Sequence, residues 1–275
     1  MARPQASLRD PALRQRIASS VVLAAIAVTA AALGGWPFAL LVLAAAAIMS
    51  IEWAKLAAAA PASRLLALAT AAVAMAAIVA VAVGAHGTAA IMLALGTIVV
   101  AVLAARREWC TPARAGGGVL YVGIPAIALV WLRGSSEAGL HHLLWLLLVI
   151  GATDTCAYLV GRLLGGPRLA PRISPGKTWA GLVGGVVGAS LLGAVAGQAL
   201  GANYGLAAIV GASLAVVGQA GDLFESFLKR RAGVKDSGHL IPGHGGLLDR
   251  IDGLVFAAPI FAALIWVGLH GGIQP

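Results

Sequence analysis

Between Asp222 and Asp252 the chain gathers half of its ten acidic residues and five of its nineteen basic ones, in a sequence otherwise dominated by Ala, Leu, Val, Gly and Ile. A run this polar cannot face lipid, and a solvated linker has no need of paired carboxylates beside glycines and histidines. If a helix continues through its start, Asp222, Ser226 and Lys229 share one face and align a carboxylate, a hydroxyl and an ammonium. The loop beyond supplies Arg230, Arg231, Lys235, Asp236 and His244 on a glycine-rich backbone that can fold tightly around a ligand, and Asp249, Arg250 and Asp252 close it. Carboxylates delivered to one level repel one another unless a cation lies between them, and all-oxygen ligation favours Mg²⁺ or a similar hard ion, with room for a second cation. Such a site beside a ring of Lys and Arg suits phosphoryl or nucleotidyl transfer, where positioning and charge neutralisation do most of the catalysis.

Two upstream features point to the same face. Asp154 stands in an apolar stretch eight residues before Arg162, about 12 Å along a helix. An intramembrane carboxylate is costly and functional by default; Tyr158 and Gly161 continue its face, so a polar stripe is expected to point into the bundle. Further on, Arg172-Ile-Ser-Pro-Gly-Lys-Thr-Trp predicts a helix start with Ser174 as cap and Pro175 in the first helical position. Free N–H groups there, with Lys177, would favour a phosphate. Gly176-Lys177-Thr178 is not a P-loop, because Pro171 stands where the first glycine must fall and no strand precedes it. Gly181, Gly184, Gly185 and Gly188 read as helix packing.

These residues must be carried by a membrane protein. With 60% hydrophobic and 11% charged residues, no soluble fold could hide the apolar surface. The expected fold class is all-α and polytopic, with about nine transmembrane helices near Ile17–Leu33, Pro37–Ile51, Leu65–Gly84, Thr88–Ala105, Val119–Leu132, Leu143–Arg162, Thr178–Ala199, Tyr204–Gly221 and Gly253–Leu269, the second and fifth being short. Trp36, Trp53, Trp109, Trp131 and Trp179 mark some of the boundaries. Nine crossings place eighteen of the nineteen Lys and Arg on one side, leaving only Arg133 on the other. The positive-inside bias then puts the N-terminus and the polar run in the cytoplasm and the C-terminus outside. It also accounts for the net charge of +9 without nucleic acid.

The first span follows an Arg-rich tail and is not expected to be a cleaved signal. Cys110 and Cys156 imply neither a disulfide nor a metal site. Residues 1–275 form one integral membrane unit, with 1–150 as helical scaffold and oligomer-contact half and 151–255 as catalytic half carrying loops 163–177 and 222–252. In the first half, Glu52 beside Trp53 and Lys55 reads as a helix end at the interface, and His86, His141 and His142 as solvated loop residues.

The pattern Ser226-x-Leu-Lys-Arg230, Lys235-Asp236-x-Gly238, Ile241-Pro-x-His244-Gly-Gly-Leu-x-Asp249-Arg-Ile-Asp252 resembles the motif of the phosphatidate cytidylyltransferases, or CDP-diacylglycerol synthases, with no departure across residues 226–252. The likeness extends to Asp154-x-x-Ala157-Tyr158-x-x-Gly161, Ser174-Pro-x-Lys177-Thr178 and Gly221-Asp222-x-x-Glu225-Ser226. It covers roughly residues 150–255; the first half is similar only in hydropathy. Ala180 departs from it, standing where relatives often carry Glu or Gln.

The resemblance implies CTP and phosphatidate as substrates, CDP-diacylglycerol and pyrophosphate as products, Mg²⁺, and a homodimer in the inner membrane with its active site toward the cytoplasm. Asp222 and Asp249 would hold the metal, assisted by Asp154 or Asp252. Lys177, Lys229, Arg230, Lys235 and Arg250 would neutralise the triphosphate and the lipid headgroup. Ser174, Thr178, Ser226, Asp236, Tyr158 and His244 with Gly245 and Gly246 would shape the substrate site. A CTP-dependent lipid kinase, a cytidylyltransferase for another lipid phosphate and a transporter are the competing readings.

Overall fold

A computed structural model describes residue 22, residues 24–238 and residues 245–268. His244, the four arginines of the N-terminal tail and residues 269–275 lie outside the described residues, so the expectations placed on them are not addressed. The described chain is almost wholly helical. Helices α1 (Ala24–Leu33), α2 (Gly35–Ala57), α3 (Ala62–Ala82), α4 (His86–Arg106), α5 (Pro112–Gly134) and α6 (Gly139–Leu164) are followed by a two-stranded hairpin. Helices α7 (Trp179–Ala199), α8 (Tyr204–Arg231) and α9 (Leu248–Trp266) complete the bundle. The nine described helices fall on the nine expected apolar stretches, the first described from Ala24, and seven of them, α2 to α8, are long and apolar enough to span a membrane. The protein is a polytopic, all-α membrane protein.

The second and fifth spans are not short: each is a helix of 23 residues. Hydropathy understates α5 because its first turns hold Arg114 and Gly116 to Gly118, yet those glycines are where α2 and α4 come close. A methyl group on Gly118 would collide with the Trp53 indole, whose Nε1 donates to the Arg114 carbonyl at 3.0 Å. Lipid tails are as apolar as leucine, so such contacts, rather than water exclusion, hold helices together.

Two apolar clusters result. One joins α2 to α5 and reaches Leu248 and Val255 of α9; the other joins α6 to α9 and takes Ala128 and Leu132 from α5. Helices α5 and α9 therefore tie the two halves together. At the far end, Arg133 donates to the carbonyls of Ala31 at 2.5 Å and Ala32 at 3.1 Å, neutralising the C-terminus of α1.

The glycines after Lys177 pack as expected. A Cβ on Gly181 would lie 2.9 Å from the Ala157 carbonyl oxygen and one on Gly185 2.9 Å from that of Thr153, so α7 lies directly on the backbone of α6. Two expectations fail here. The segment before α7 is an antiparallel hairpin, β1 (Arg168–Ala170) with β2 (Ser174–Thr178). Ser174 and Pro175 therefore lie in a strand, and Thr178 is the cap, its hydroxyl accepting from Gly181 N at 3.0 Å. Of the histidines, His141 is exposed but His142 is buried with its ring edge-on to Phe261, because it sits on the inner face of the first turn of α6.

Replacing Gly181 by leucine should separate α6 from α7 and cost about 1–3 kcal/mol, whereas Gly151→Ala, with nothing within 4 Å of the added carbon, should not destabilise. Thermal unfolding of both variants in detergent checks the contrast.

Candidate active site

Helix α8 divides the polar residues into two groups. On one side a cleft of about 730 Å³ is lined by Asp154, Tyr158, Gly161 and Arg162 of α6, by Arg168, Gly176 and Lys177 of the hairpin, by Thr178, and by Gln219 and Asp222 of α8. The polar stripe of α6 therefore faces an open cleft and not the packed interior: Asp154 is exposed and Tyr158 is 62% exposed, its hydroxyl accepting from Arg162 at 2.9 Å. Gly161 belongs to the packing, since a Cβ there would approach Thr178 Oγ1 to 3.0 Å. Lys177 is the hub of the cleft, with its Nζ 2.5 Å from Asp222 Oδ2 and 3.1 Å from Gln219 Oε1.

Asp252 belongs beside them. Helices α8 and α9 touch along Gly218, Gly221 and Gly253, and a Cβ on Gly221 would lie 2.5 Å from the Asp252 carbonyl oxygen. That contact brings the Asp252 carboxylate within electrostatic range of Asp222 and Asp154, and of Lys177. Three helices thus deliver three aspartates around one lysine.

The second group surrounds Lys229. Its Nζ lies 2.5 Å from Asp249 Oδ1 and 3.1 Å from Glu225 Oε2, all three groups being largely buried. The expected face of Asp222, Ser226 and Lys229 is thus only partly formed. Ser226 Oγ donates to Asp222 at 3.4 Å, a long bond, while Lys229 pairs with Glu225 at i, i+4 and with Asp249 of α9. The other oxygen of Asp249, Oδ2, accepts from Ser237 N at 2.9 Å, Gly246 N at 2.9 Å and Ser237 Oγ at 3.0 Å.

The expected metal pair is accordingly assigned to different ion pairs, Asp222 to Lys177 and Asp249 to Lys229. Among the described residues no three His, Cys, Asp or Glu side chains are gathered into a ready ligand set. The donor chemistry of Asp154, Asp222 and Asp252 still fits a hard divalent ion, with oxygens from three helices, mutual repulsion and no thiol or imidazole. Both oxygens of Asp249 are engaged in this structure, Oδ1 by Lys229 and Oδ2 by Ser237 and Gly246.

The remaining predicted residues lie around these groups. Ser174 pairs with Ala170 in the hairpin, and Arg230 Nε donates to the Ile173 carbonyl at 3.2 Å, fastening the hairpin to α8. Lys235, Asp236 and Arg250 are exposed. Gly245 has a positive φ of 84°, and a Cβ there would lie 3.0 Å from Asp249 Oδ2, while Gly246 leaves no room for a side chain beside Ser237. Sequence reading missed Gln219 and Glu52. Gln219 was detectable as a polar residue one turn before Asp222 in an apolar helix. Glu52 is 3% exposed, and its signal was a carboxylate near the C-terminal end of a helix, where the dipole disfavours it.

Fold and cleft together define a polytopic membrane protein with a cleft lined by carboxylates and basic side chains at one end of its bundle. The sequence profile described as the Cytidylyltransferase family matches residues 14–267. A phosphatidate cytidylyltransferase of Brucella suis biovar 1 is 38% identical over 251 residues, 90% of this chain and 91% of its own length. One from Staphylococcus saprophyticus is 42% identical over 149 residues, 54% of this chain and 56% of its own. The chain belongs to the cytidylyltransferase family. The likeness runs well into the first half, beyond the 150–255 stretch in which the motifs lie.

Removing the Asp249 carboxylate strips acceptors from two backbone N–H groups and leaves Lys229 with Glu225 alone. Asp249→Ala should therefore cost about 3 kcal/mol, and Asp222→Ala, at a partly exposed pair, about 1 kcal/mol or less. Thermal unfolding of the two variants in one detergent tests the ordering.

Proposed function

We propose that this protein transfers the cytidylyl group of CTP to phosphatidate, giving CDP-diacylglycerol and pyrophosphate for phospholipid synthesis. The observation that carries this reading is the cleft at one end of the bundle, where α6, the hairpin, α8 and α9 bring Asp154, Lys177, Asp222 and Asp252 together in a chain of this family. A cleft at the end of membrane spans can meet one substrate from the bilayer and one from water.

In the reaction an oxygen of the phosphatidate phosphomonoester attacks the α-phosphorus of CTP. The bond from that phosphorus to the α,β-bridging oxygen breaks, and pyrophosphate leaves with the electron pair. The attacking group needs no strong base, since a phosphomonoester with a second pKa of about 6 is largely dianionic near neutral pH. Lys177, Arg162 and Arg168 line the cleft and neutralise phosphate oxygens. Lys229, oriented by Asp249 and Glu225, and Arg230, Lys235 and Arg250 add positive charge beneath it. Asp222 with Asp252 and Asp154 would hold Mg²⁺, which when bound neutralises charge on the triphosphate.

We place the site on the cytoplasmic side of the inner membrane, because the Lys and Arg residues fall at alternate helix ends with Arg133 as the exception. The proposed assembly is a homodimer. Helix α4, the least buried span at 22%, offers a broad apolar face for it.

The test is incubation of the purified protein with phosphatidate and CTP labelled at the α-phosphorus, with Mg²⁺ and with or without EDTA. Label should enter the lipid phase one-for-one with pyrophosphate, stop with EDTA, and fall at least about 100-fold in Asp222→Asn. Label recovered as aqueous CDP beside a phosphorylated lipid would instead make the protein a kinase.

A further inference from the structure

Glu52 is the carboxylate that the cleft does not use. It lies near the C-terminal end of α2, where the helix dipole disfavours a negative charge, and it is 3% exposed. Burial there would be unfavourable without strong compensation, and the compensation comes from the other end of the sequence. Glu52 Oε1 accepts from Leu247 N at 2.9 Å and Oε2 from Leu248 N at 2.8 Å. These N–H groups open α9, a helix whose own cap residue, Leu247, has no side-chain acceptor. A carboxylate misplaced in its own helix is thus correctly placed for another.

The loop is built around this carboxylate. Ser237 Oγ lies 3.3 Å from Glu52 Oε2 and 3.0 Å from Asp249 Oδ2, bridging the two acids. A Cβ on Gly238 would lie 2.7 Å from Glu52 Oε1, and one on Gly246 2.8 Å from both Glu52 oxygens, so these positions are glycine to let the backbone close on it. Beyond Ser237, Asp249 sets Lys229. The neighbouring Trp53 fixes the α2 end, with its ring against Gly118 and its Nε1 on the Arg114 carbonyl.

We propose that Glu52 is a positioning residue for cytidylyl transfer: its charge, delivered from the first half of the chain, caps α9 and so fixes the start of the helix that carries Asp249, the partner of Lys229, and Asp252. The inference rests on the activity proposed above. Both Glu52 oxygens face donors, so the amide of Glu52→Gln turns an N–H toward an N–H, and the loop loses its anchor without loss of volume.

The experiment compares wild type, Glu52→Gln, Glu52→Asp and Ser237→Ala for kcat, phosphatidate KM, thermal unfolding and amide exchange. Glu52→Gln should lower kcat by about tenfold or more with KM for phosphatidate changed less than about twofold. It should speed exchange at 236–238 and 245–249 while leaving α2 to α5 near wild type, and Glu52→Asp should recover part of the loss. Ser237→Ala, which keeps the cap and cuts only the bridge, should show the same pattern more weakly and serves if Glu52→Gln does not fold. Wild-type kcat and loop exchange in both Glu52→Gln and Ser237→Ala overturns the proposal. So does activity that falls only with the folded fraction while exchange rises throughout α2 to α5. A wild-type protein that makes no CDP-lipid overturns the assigned activity instead, and the exchange data still decide whether Glu52 holds the loop.

Discussion

A carboxylate taken out of water must be met by donors or by positive charge, and in a membrane protein there is little of either to spare. This constraint organises the polar end of the bundle. Asp222 meets Lys177, Asp249 meets Lys229 and two loop N–H groups, and Glu52 meets the two N–H groups that open α9. Each of these acids has at least one partner outside its own helix, so satisfying the charges also assembles the cleft. Breaking a pair leaves an uncompensated charge, which is why these contacts specify the arrangement more than they stabilise it.

The apolar part of the fold makes that matching possible by close approach. Gly221 lets α8 lie against the backbone of α9 at Asp252, and Gly181 and Gly185 lay α7 on α6, which puts Lys177 at the rim shared with Asp154. Side chains at these points would keep the helices apart and the charges unpaired. Packing and chemistry are one problem here, solved with the smallest residue.

Much of this was legible in the sequence, for identifiable reasons. Apolar runs of membrane length and the lopsided distribution of Lys and Arg reveal the spans, and an Asp such as Asp154 in an apolar helix advertises itself. The residues of the α8–α9 loop are recognisable because their chemistry is dense and local. Three things were not legible. The hairpin at 168–178 was hidden by Pro175 and Gly176, which argue against a strand until Arg230 is seen holding its turn. The partners of Lys229 depend on how α9 packs against α8, which brings Asp249 to it beside Glu225 of the preceding turn. The link from Glu52 to Leu247 and Leu248 spans most of the chain, and no spacing rule reaches that far. Glu52 was instead read from its neighbours Trp53 and Lys55, which describe the helix end correctly but say nothing of what packs against it.

The isolation of Arg133 has a consequence for traffic at the two membrane faces. Its guanidinium is committed to carbonyls at the end of α1, so that face carries no strongly attractive field from this side chain. The opposite face, crowded with Lys and Arg, draws acidic lipids out of the surrounding leaflet. A lipid bearing a phosphomonoester is thereby enriched around the protein before any pocket recognises it. The CDP-lipid product keeps one ionised oxygen on each of its two phosphates, so the same field holds substrate and product alike at this face.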